Sequence, residues 1–262
     1  MTLAPADALA VALEAGEAAG RALRAGWGHV GDVRHKELAT DLVTEWDTRI
    51  ERLLHAELAR LSPGTAILGE ELGGRAAPEG AWIVDPVDGT VNFAHGLPLF
   101  AVSIAYEAHG EGLAGVVVAP ALGWTFAAAR GEGATWNGAP LRVSATATLE
   151  RAMVVTGFPY DRHLSARNNF VAWEHMQRVA GAVRRLGAAS LDLAFVAAGW
   201  LDAYWEFKLK PWDLAAGAVI VAEAGGRVSA LDGGPFASAA GEILATNGRL
   251  HDAMVEALRG RT

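Results

Sequence analysis

Apolar residues near the start of the chain recur at helical spacing, which predicts two amphipathic helices. The first has an apolar face made of Leu9, Leu13, Gly16, Gly20, Leu23 and Trp27. Its two glycines would allow another segment of backbone to approach closely. The second helix covers roughly residues 44–61, and its apolar stripe contains Trp46, Ile50, Leu53, Leu54, Leu58 and Leu61. Thr44 with Asp47 resembles a capping box at its start.

The spacing then changes to short apolar runs separated by glycine, proline and asparagine, which predicts strands joined by turns. These runs are residues 66–68, 82–84, 100–106, 115–118 and 125–129. We expect them to form a largely antiparallel meander. The segment from Gly110 to Gly115 matches the pattern Gly-x-Gly-x-x-Gly, but a dinucleotide site needs a helix after it. An apolar strand pattern follows instead, which favours a hairpin.

From about residue 145 onward, strand-like and helix-like patterns alternate. Strands are predicted at residues 153–156, 203–207, 227–230 and 243–246. Helices are predicted at residues 166–179, 190–198, 212–224 and 250–258. We therefore expect a layered α/β fold in one compact unit, with an N-terminal half at residues 1–144 and a C-terminal half at residues 145–262.

Composition and charge restrict the chemistry that the chain could perform. Of its 262 residues, 52% are hydrophobic and none is cysteine, which allows a large core and excludes disulfides and thiolate metal sites. The formal net charge is −8 without a basic cluster, so we expect no direct binding of nucleic acid. We recognise neither a signal-peptide pattern nor an apolar run long enough for a membrane span, and we expect a cytoplasmic protein. An anionic substrate would require bound cations.

Four carboxylates lie at the ends of predicted apolar elements, and these are Glu70, Asp85, Asp88 and Asp213. Taken singly, each has an ordinary explanation, such as a surface pair for Glu70, a turn for the two central aspartates, or a helix cap for Asp213. In layered α/β folds, however, such ends line clefts. Carboxylates that meet there without a basic cluster repel one another unless cations bridge them. Oxygen ligands of this kind favour Mg²⁺ or a similar hard ion.

The residues after Asp88 are Gly89 and Thr90, which offer free backbone N–H groups at the predicted start of a short helix. Such amides are a ready site for an anion, so the segment predicts a phosphate cradle beside a cation site. The sequence contains no Walker A segment, and no pair of histidines has zinc-ligand spacing within a helix. A P-loop nucleotide site and a zinc site are therefore set aside.

Several motifs together resemble those of the inositol monophosphatase family. The segment from Trp82 to Pro98, which contains Asp-Pro-Val-Asp-Gly-Thr, is similar to one signature of that family. The segment from Pro211 to Gly226 is similar to its second signature. Further matches are Gly69-Glu70-Glu71, Lys36 with the segment from Asp41 to Thr44 and Asp47, and the segment from Arg185 to Asp192. The resemblance therefore covers nearly the whole chain in order.

The resemblance implies alternating helix and sheet layers of the sugar-phosphatase type, and Mg²⁺-dependent hydrolysis of phosphate monoesters by metal-activated water, with two to three ions per site. It assigns the metal ligands to Glu70, Asp85, the carbonyl of Val87, Asp88 and Asp213. It assigns catalysis to Glu70 and Thr90, supported by Asp47. It assigns substrate contacts to Asp88, Gly89, Thr90, the amide of Ala189, Glu206 and Asp213. Lys36 would lie on a loop at the mouth of the cleft.

Inositol 1-phosphate is the substrate we expect first, because Asn92, Phe93 and the segment from His95 to Pro98 resemble that branch of the family. Histidinol phosphate, fructose 1,6-bisphosphate and NADP stay open as substrates. A different function, binding to the bacterial transcription machinery, also stays open, since residues 184–199 resemble family members with that role. The resemblance further implies a homodimer and inhibition by Li⁺. Either that interface or the core would hold the aromatic residues Trp173, Trp200, Tyr204 and Trp205.

Overall fold

The computed structural model describes residues 2–36, 38 and 40–262 of the chain. Its helices are α1 (Pro5–Gly26), α2 (Glu45–Leu61), α3 (Thr90–Ala94), α4 (Phe170–Val179), α5 (Ala189–Ala197), α6 (Pro211–Glu223) and α7 (His251–Leu258). Its strands are β1 (Val33–His35), β2 (Leu42–Thr44), β3 (Ala66–Gly69), β4 (Ala81–Asp88), β5 (Ala101–Ala108), β6 (Glu111–Ala119), β7 (Trp124–Ala129), β8 (Gly133–Trp136), β9 (Ala139–Pro140), β10 (Met153–Thr156), β11 (Ala182–Arg184), β12 (Ala203–Phe207), β13 (Arg227–Ser229) and β14 (Glu242–Thr246). None of the helices in these described ranges is both long and apolar enough to cross a membrane.

Two larger sheets form the frame of the molecule, and β1 and β2 pair separately as a short ribbon. The first has the order β3-β4-β5-β6-β7-β8-β9, in which neighbours are antiparallel except β3 with β4. The predicted antiparallel meander is therefore confirmed, and the Gly-x-Gly-x-x-Gly segment lies in the hairpin of β5 and β6. The second sheet has the order β11-β10-β12-β14-β13 and mixes parallel with antiparallel pairs.

Helices and sheets alternate in layers, so the predicted fold class is confirmed. Helices α1 and α2 cover one face of the larger sheet, while α5 and α6 pack between the two sheets. Helices α4 and α7 cover the outer face of the smaller sheet. The core cluster between the two sheets contains residues from both halves of the chain, such as Ile83 and Ile220. The halves share this core because each sheet needs an apolar partner on its inner face. The boundary between residues 144 and 145 stays a prediction.

The first helix buries only part of the face that its spacing predicted, together with alanines beside it. Its buried positions are Ala8, Ala12, Ala15, Gly16, Ala19, Gly20, Leu23 and Gly26. Leu13 is 37% exposed, so its placement on the buried face was wrong. The small residues let the helix lie against β6, because a Cβ atom on Gly20 would lie 2.7 Å from a methyl group of Val118. The expected close approach at Gly16 and Gly20 is confirmed, and it determines which side of the helix packs against β6.

Some element boundaries also differ from the predicted ones. The strand at residues 82–84 continues through Pro86 to Asp88, where we expected a turn. The strands β1, β2, β8, β9 and β11 were not predicted, because segments of two to four residues carry too little periodicity to be recognised. Helix α4 begins at Phe170 rather than at residue 166, after a left-handed residue, Asn169, with φ of 71°.

Candidate active site

The residues predicted for the site lie around one cleft with a volume of about 290 Å³. Its walls come from the ends of β3, β4 and β12, the starts of α3, α5 and α6, and the segment after β10. The predicted residues that line it are Glu70, Asp85, Val87, Asp88, Gly89, Thr90, Ala189, Glu206 and Asp213. Lys36 lines the cleft as well. His95, in contrast, is exposed and lies outside this lining.

A larger and more open groove of about 720 Å³ lies beside α2. Three arginines, Arg34, Arg49 and Arg52, line it together with Glu45 and Glu71. This groove contains none of the predicted metal ligands, so the larger cavity is not the one that holds the candidate chemistry. We assign the site to the smaller cleft, because the convergent carboxylates that line it are typical of a place that holds a ligand or ion.

Three aspartates form a compact group, called here the aspartate triad (Asp85, Asp88 and Asp213). Each offers one carboxylate oxygen, and these oxygens lie within 4.8 Å of one another. In a regular strand, residues three apart point to opposite faces, so Asp85 and Asp88 would diverge. The register of β4 against β5 shifts between these two residues, and this irregularity turns both toward the cleft.

Backbone donors hold the triad in place. The N–H of Ala189 donates to Oδ1 of Asp88 at 3.0 Å, and the N–H of Ser190 donates to Oδ2 at 2.8 Å. The hydroxyl of Ser190 donates to Oδ2 as well. The N–H of Lys210 donates to Asp213 at 2.6 Å, at the start of α6. Partial positive charge at the starts of two helices thus stabilises the carboxylates.

The triad carries more negative charge than these dipoles can offset. Burial raises the pKa of Asp85 well above its ordinary value, and the neighbouring carboxylates raise it further. Burial raises the pKa of Asp213 too, and the charge of Glu70 adds to this. Across the described residues, no lysine or arginine side chain forms an ion pair with the triad. A set of clustered oxygen donors fits a hard divalent cation.

Glu70 lies beside the triad, outside the 4.8 Å group, and already has a cationic partner. The ammonium of Lys36 donates to Oε1 of Glu70 at 2.7 Å and also to Glu71. Burial raises the pKa of Glu70 to about 7, and Lys36 opposes that rise. The sequence grouped Glu70 with the three aspartates, and in the structure it lines the same cleft from a separate turn, where Lys36 offsets part of its charge.

Thr90 and Asp47 form a connected pair behind the triad. The Thr90 hydroxyl lies 3.0 Å from Oδ1 of Asp47 and 2.9 Å from the carbonyl oxygen of Val87. The capping box is confirmed, since Oδ2 of Asp47 accepts hydrogen bonds from both the N–H and the hydroxyl of Thr44. Burial raises the pKa of Asp47, while these hydrogen bonds lower it. The start of α2 therefore supplies one of the two acceptors of the Thr90 hydroxyl.

Glu206 lies on another wall of the cleft, on β12. The Tyr204 hydroxyl donates to Oε2 of Glu206 at 2.7 Å. Burial raises the pKa of Glu206 to about 7, although this hydrogen bond lowers it. Residues two apart on a strand share a face, so the pattern Tyr-x-Glu could have indicated Tyr204 from the sequence. Ser190 was missed as well, and the position beside a helix start was its only signal.

One substrate assignment meets a competing contact in the structure. The amide of Ala189, which the resemblance assigned to a substrate hydroxyl, donates to Asp88 instead. A substrate oxygen would have to share or replace that hydrogen bond. The loop after β10 completes the cleft, with the carbonyl of Tyr160 accepting a hydrogen bond from the Thr40 hydroxyl at 2.8 Å.

The comparisons with known proteins agree with this geometry. The sequence profile of the inositol monophosphatase family matches residues 5–262. An inositol-1-monophosphatase of Synechocystis sp. is 44% identical over 252 residues, which is 95% of this chain and 88% of that protein. The Nus factor SuhB of Pseudomonas aeruginosa is 44% identical over 227 residues, which is 84% of each chain. The solved structure of an inositol monophosphatase from Anabaena (Nostoc) sp. has a TM-score of 0.87 and 39% identity, and covers 97% of this chain and 96% of that one.

The matched range contains each layer of the fold and each carboxylate of the cleft. The structural likeness extends over nearly the same length, so sequence and fold support one relationship. The clustered oxygens of the triad suit the metal dependence of such enzymes. On these grounds the chain belongs to the inositol monophosphatase family, which comprises metal-dependent phosphatases that hydrolyse phosphate monoesters.

Proposed function

We propose that this protein hydrolyses inositol 1-phosphate to myo-inositol and inorganic phosphate with two to three Mg²⁺ ions. The observation that carries the proposal is the aspartate triad, whose oxygens lie within 4.8 Å of one another in the cleft. Carboxylates this close repel one another unless a cation bridges them or one takes up a proton, and ligands that are all oxygen favour Mg²⁺ over softer metals. The similarity to an inositol-1-monophosphatase of Synechocystis sp. supports the choice of substrate.

The ions would be held by the triad, Glu70 and the carbonyl of Val87. When bound, they supply positive charge that attracts the phosphate, stabilises charge in the transition state and lowers the pKa of the attacking water. The triad's part is to present its oxygens in a fixed arrangement, because the hydrogen bonds from Ser190 and Lys210 hold two of its carboxylates.

Glu70 and Thr90 orient the attacking water in this proposal. The Thr90 hydroxyl has one proton, which it directs to Asp47 or to the carbonyl of Val87. Its oxygen lone pairs are then available to accept a hydrogen bond from water. Glu70 lines the same cleft, and its carboxylate oxygens can accept a hydrogen bond from that water.

The substrate is oriented by groups on both sides of the triad. The N–H groups of Gly89 and Thr90 point to the phosphate, as backbone donors at such positions do. Glu206 accepts a hydrogen bond from a ring hydroxyl, because Tyr204 engages only one of its two oxygens in the side-chain contact. Asp88 and Asp213 complete the contacts to the substrate, together with the Ala189 amide if the substrate oxygen shares its hydrogen bond with Asp88.

Release of phosphate from a panel of esters tests this proposal. The panel contains inositol 1-phosphate, histidinol phosphate, fructose 1,6-bisphosphate, NADP and 3′-phosphoadenosine 5′-phosphate, each with Mg²⁺ and then with EDTA. We expect turnover that requires Mg²⁺ and is fastest on inositol 1-phosphate. Fastest turnover on another ester would keep the reaction and replace the substrate. Turnover that persists in EDTA would contradict the role of the triad.

A second function is favoured by the similarity to the Nus factor SuhB of Pseudomonas aeruginosa. We propose that the chain could bind the bacterial transcription machinery in addition to its catalysis. Copurification of the tagged full chain with RNA polymerase tests this, with the catalytically impaired Asp213→Asn variant alongside. Binding by both forms supports a separate role, and no binding by either contradicts it.

We also propose a cytoplasmic homodimer that Li⁺ inhibits, following the family resemblance. Of the four aromatic residues considered for an interface, Tyr204 and Trp205 are fully buried, whereas Trp200 is 36% exposed beside Trp124. Trp200 therefore supports a contact with a second copy. Sedimentation of the wild type and Trp200→Ala checks the dimer, and a Li⁺ titration of phosphate release checks inhibition.

A further inference from the structure

A second carboxylate on α2 lies entirely inside the protein and has no role in the reaction as assigned above. The side chain of Glu51 has no exposed surface. Its Oε2 accepts the N–H of Glu71 at 2.7 Å, and its Oε1 accepts the N–H of Leu72 at 2.9 Å. The nearest basic group is Nε2 of His55, 3.6 Å away. A buried carboxylate without lysine or arginine costs stability relative to an apolar side chain, so its position calls for a reason.

The two amides belong to the short loop that carries Glu70, called here the Glu70 turn (residues 69–73). This turn closes on itself through a hydrogen bond from the N–H of Gly69 to the carbonyl of Gly73 at 2.8 Å. The next N–H groups along it point inward, where a buried donor needs a partner. Glu51 supplies that partner from a different element of the fold.

Gly69 makes this contact possible. A Cβ atom at this position would lie 2.0 Å from Oε1 of Glu51, which is far inside contact distance. The carboxylate therefore passes beside the backbone of β3 to reach the two amides. The close approach means that the turn has little freedom to move relative to α2.

One turn of α2 connects this contact with the rest of the site. Asp47 and Glu51 are four residues apart, so they lie on the same face of the helix. Asp47 holds the hydroxyl of Thr90 at 3.0 Å, while Glu51 holds the turn of Glu70. Thr90 and Glu70, which orient the attacking water in the proposed mechanism, are therefore both held by the same segment of α2. Displacements of about 1 Å in such groups cost on the order of a hundredfold in rate.

We propose that Glu51 is a positioning residue, whose buried carboxylate fixes the Glu70 turn so that Glu70 faces the aspartate triad. The role rests on the proposed function, in which Glu70 helps to hold the cation. It acts through Glu70 and touches neither ion nor substrate. Its substitution should therefore change the turn first and the affinity for the cation as a consequence.

Hydrogen exchange of the metal-free protein tests the first step. The variant Glu51→Gln keeps the size of the side chain but has a single acceptor oxygen for two amides. We expect the peptide that covers residues 70–73 to exchange about tenfold faster, since one amide loses its partner. The matched control is Glu57→Gln on the same helix, where Glu57 pairs with Arg60 at the surface. It should leave exchange in that peptide unchanged.

Calorimetric titration with Mg²⁺ tests the second step. We expect Glu51→Gln to weaken binding about tenfold, as loss of a group that orients a ligand usually does. In a Glu70→Gln background, the same change should alter affinity less than about twofold, because the ligand it positions is gone. A purely structural role would lower Tm equally in both backgrounds and would not produce this difference.

Gly69→Ala changes the other partner of the contact between Glu51 and β3. It provides a second variant if Glu51→Gln does not fold. Its added methyl group should displace the carboxylate and reproduce both effects. Unchanged exchange at residues 70–73, or an equal loss of Mg²⁺ affinity with and without Glu70, would overturn the role of Glu51. If the wild type cleaves no ester while both results hold, the proposed function fails and the positioning role stands.

Discussion

Two acidic groups share the cleft, and they differ in how their charge is balanced. The aspartate triad is held by backbone amides and one hydroxyl, with no basic side chain paired to it among the described residues. Glu70 and Glu71, on the neighbouring turn, both accept hydrogen bonds from the ammonium of Lys36. The first group is ordered without any basic partner, whereas the second has half of its charge offset from within the chain, since one ammonium serves two carboxylates.

The difference indicates which carboxylates depend on a cation from outside. Backbone dipoles fix the triad in position without supplying a full positive charge, so binding a cation requires little rearrangement. To bind an ion, in contrast, the Glu70 carboxylate must either give up its hydrogen bond with Lys36 or interact with Lys36 and the ion together. We therefore expect the triad to dominate metal binding, and Glu70 to adjust it.

The largest expected effect follows from removing a carboxylate of the triad. Asp213→Asn keeps the shape of the side chain but removes one negative charge. We expect kcat/KM to fall about a thousandfold, because metal-assisted stabilisation of the transition state amounts to roughly 4 kcal/mol. We also expect Mg²⁺ to stop raising Tm, since a ligand that no longer binds cannot stabilise the fold. Phosphate release and thermal unfolding measure the two effects.

Glu71→Gln is the control for that comparison, because Glu71 lies outside the triad and is paired with Lys36. It should reduce kcat/KM by less than about fivefold, as expected for a partly exposed ion pair. An equal loss in both variants would break the distinction between the two groups.

A pH dependence of stability should reveal Glu206, which forms no ion pair with a basic side chain of the described residues, although the charge of Arg185 acts on it from a distance. Its pKa rises from 4.5 to about 7 because of burial, and Tyr204 lowers it only in part. A raised carboxyl pKa favours the protonated folded state, so this stability is complete below pH 4.5 and is lost as the pH rises through about 7. The shift corresponds to roughly 3 kcal/mol in the metal-free protein.

Urea unfolding in EDTA at several pH values measures this dependence. Glu206→Gln should make the dependence less steep, because the amide accepts from Tyr204 but does not ionise. The remaining slope comes from Asp85, Asp213 and Glu70, whose pKa values are raised as well. A slope of the same size in the wild type and the variant would show that other carboxylates produce the effect.

The smallest effect is expected where Lys36 balances Glu70. The ammonium and Glu70 side chains are 26% and 23% exposed, and Lys36→Gln should lower the free energy of unfolding by about 1 kcal/mol or less. Affinity for Mg²⁺ should rise a few-fold, because Glu70 is no longer shared with an ammonium group. Lys208→Gln is the matched control, since Lys208 pairs with Asp161 at similar exposure. Lys208→Gln should lower the free energy of unfolding by a similar amount and leave Mg²⁺ affinity unchanged.

The order of elements and the cleft-lining carboxylates were accessible from the sequence because they depend on local patterns. Strands β10 and β12 have the predicted bounds, and the capping box of Thr44 and Asp47 is present. Acidic residues beside strand ends and helix starts are visible without knowledge of the fold. The family signatures strengthened these assignments, since their spacing covers the whole chain.

Contacts between distant segments were not accessible in the same way. The burial of alanines and glycines on α1 depends on how closely β6 approaches, which the helix's own spacing does not reveal. The hydrogen bonds from Ser190 to Asp88 join residues 102 apart, and those from the Glu70 turn to Glu51 cross between elements.

The sequence by itself determined the layered α/β class, the identity of the carboxylates and the family. These follow from periodicity, residue type and motif spacing, which are properties of neighbouring residues. Only the tertiary structure decided that Asp85 and Asp88 point the same way, that Lys36 pairs with Glu70, and that the Ala189 amide is engaged by Asp88. Each of these depends on a register shift or a long-range approach, and such geometry arises only when separate elements pack together.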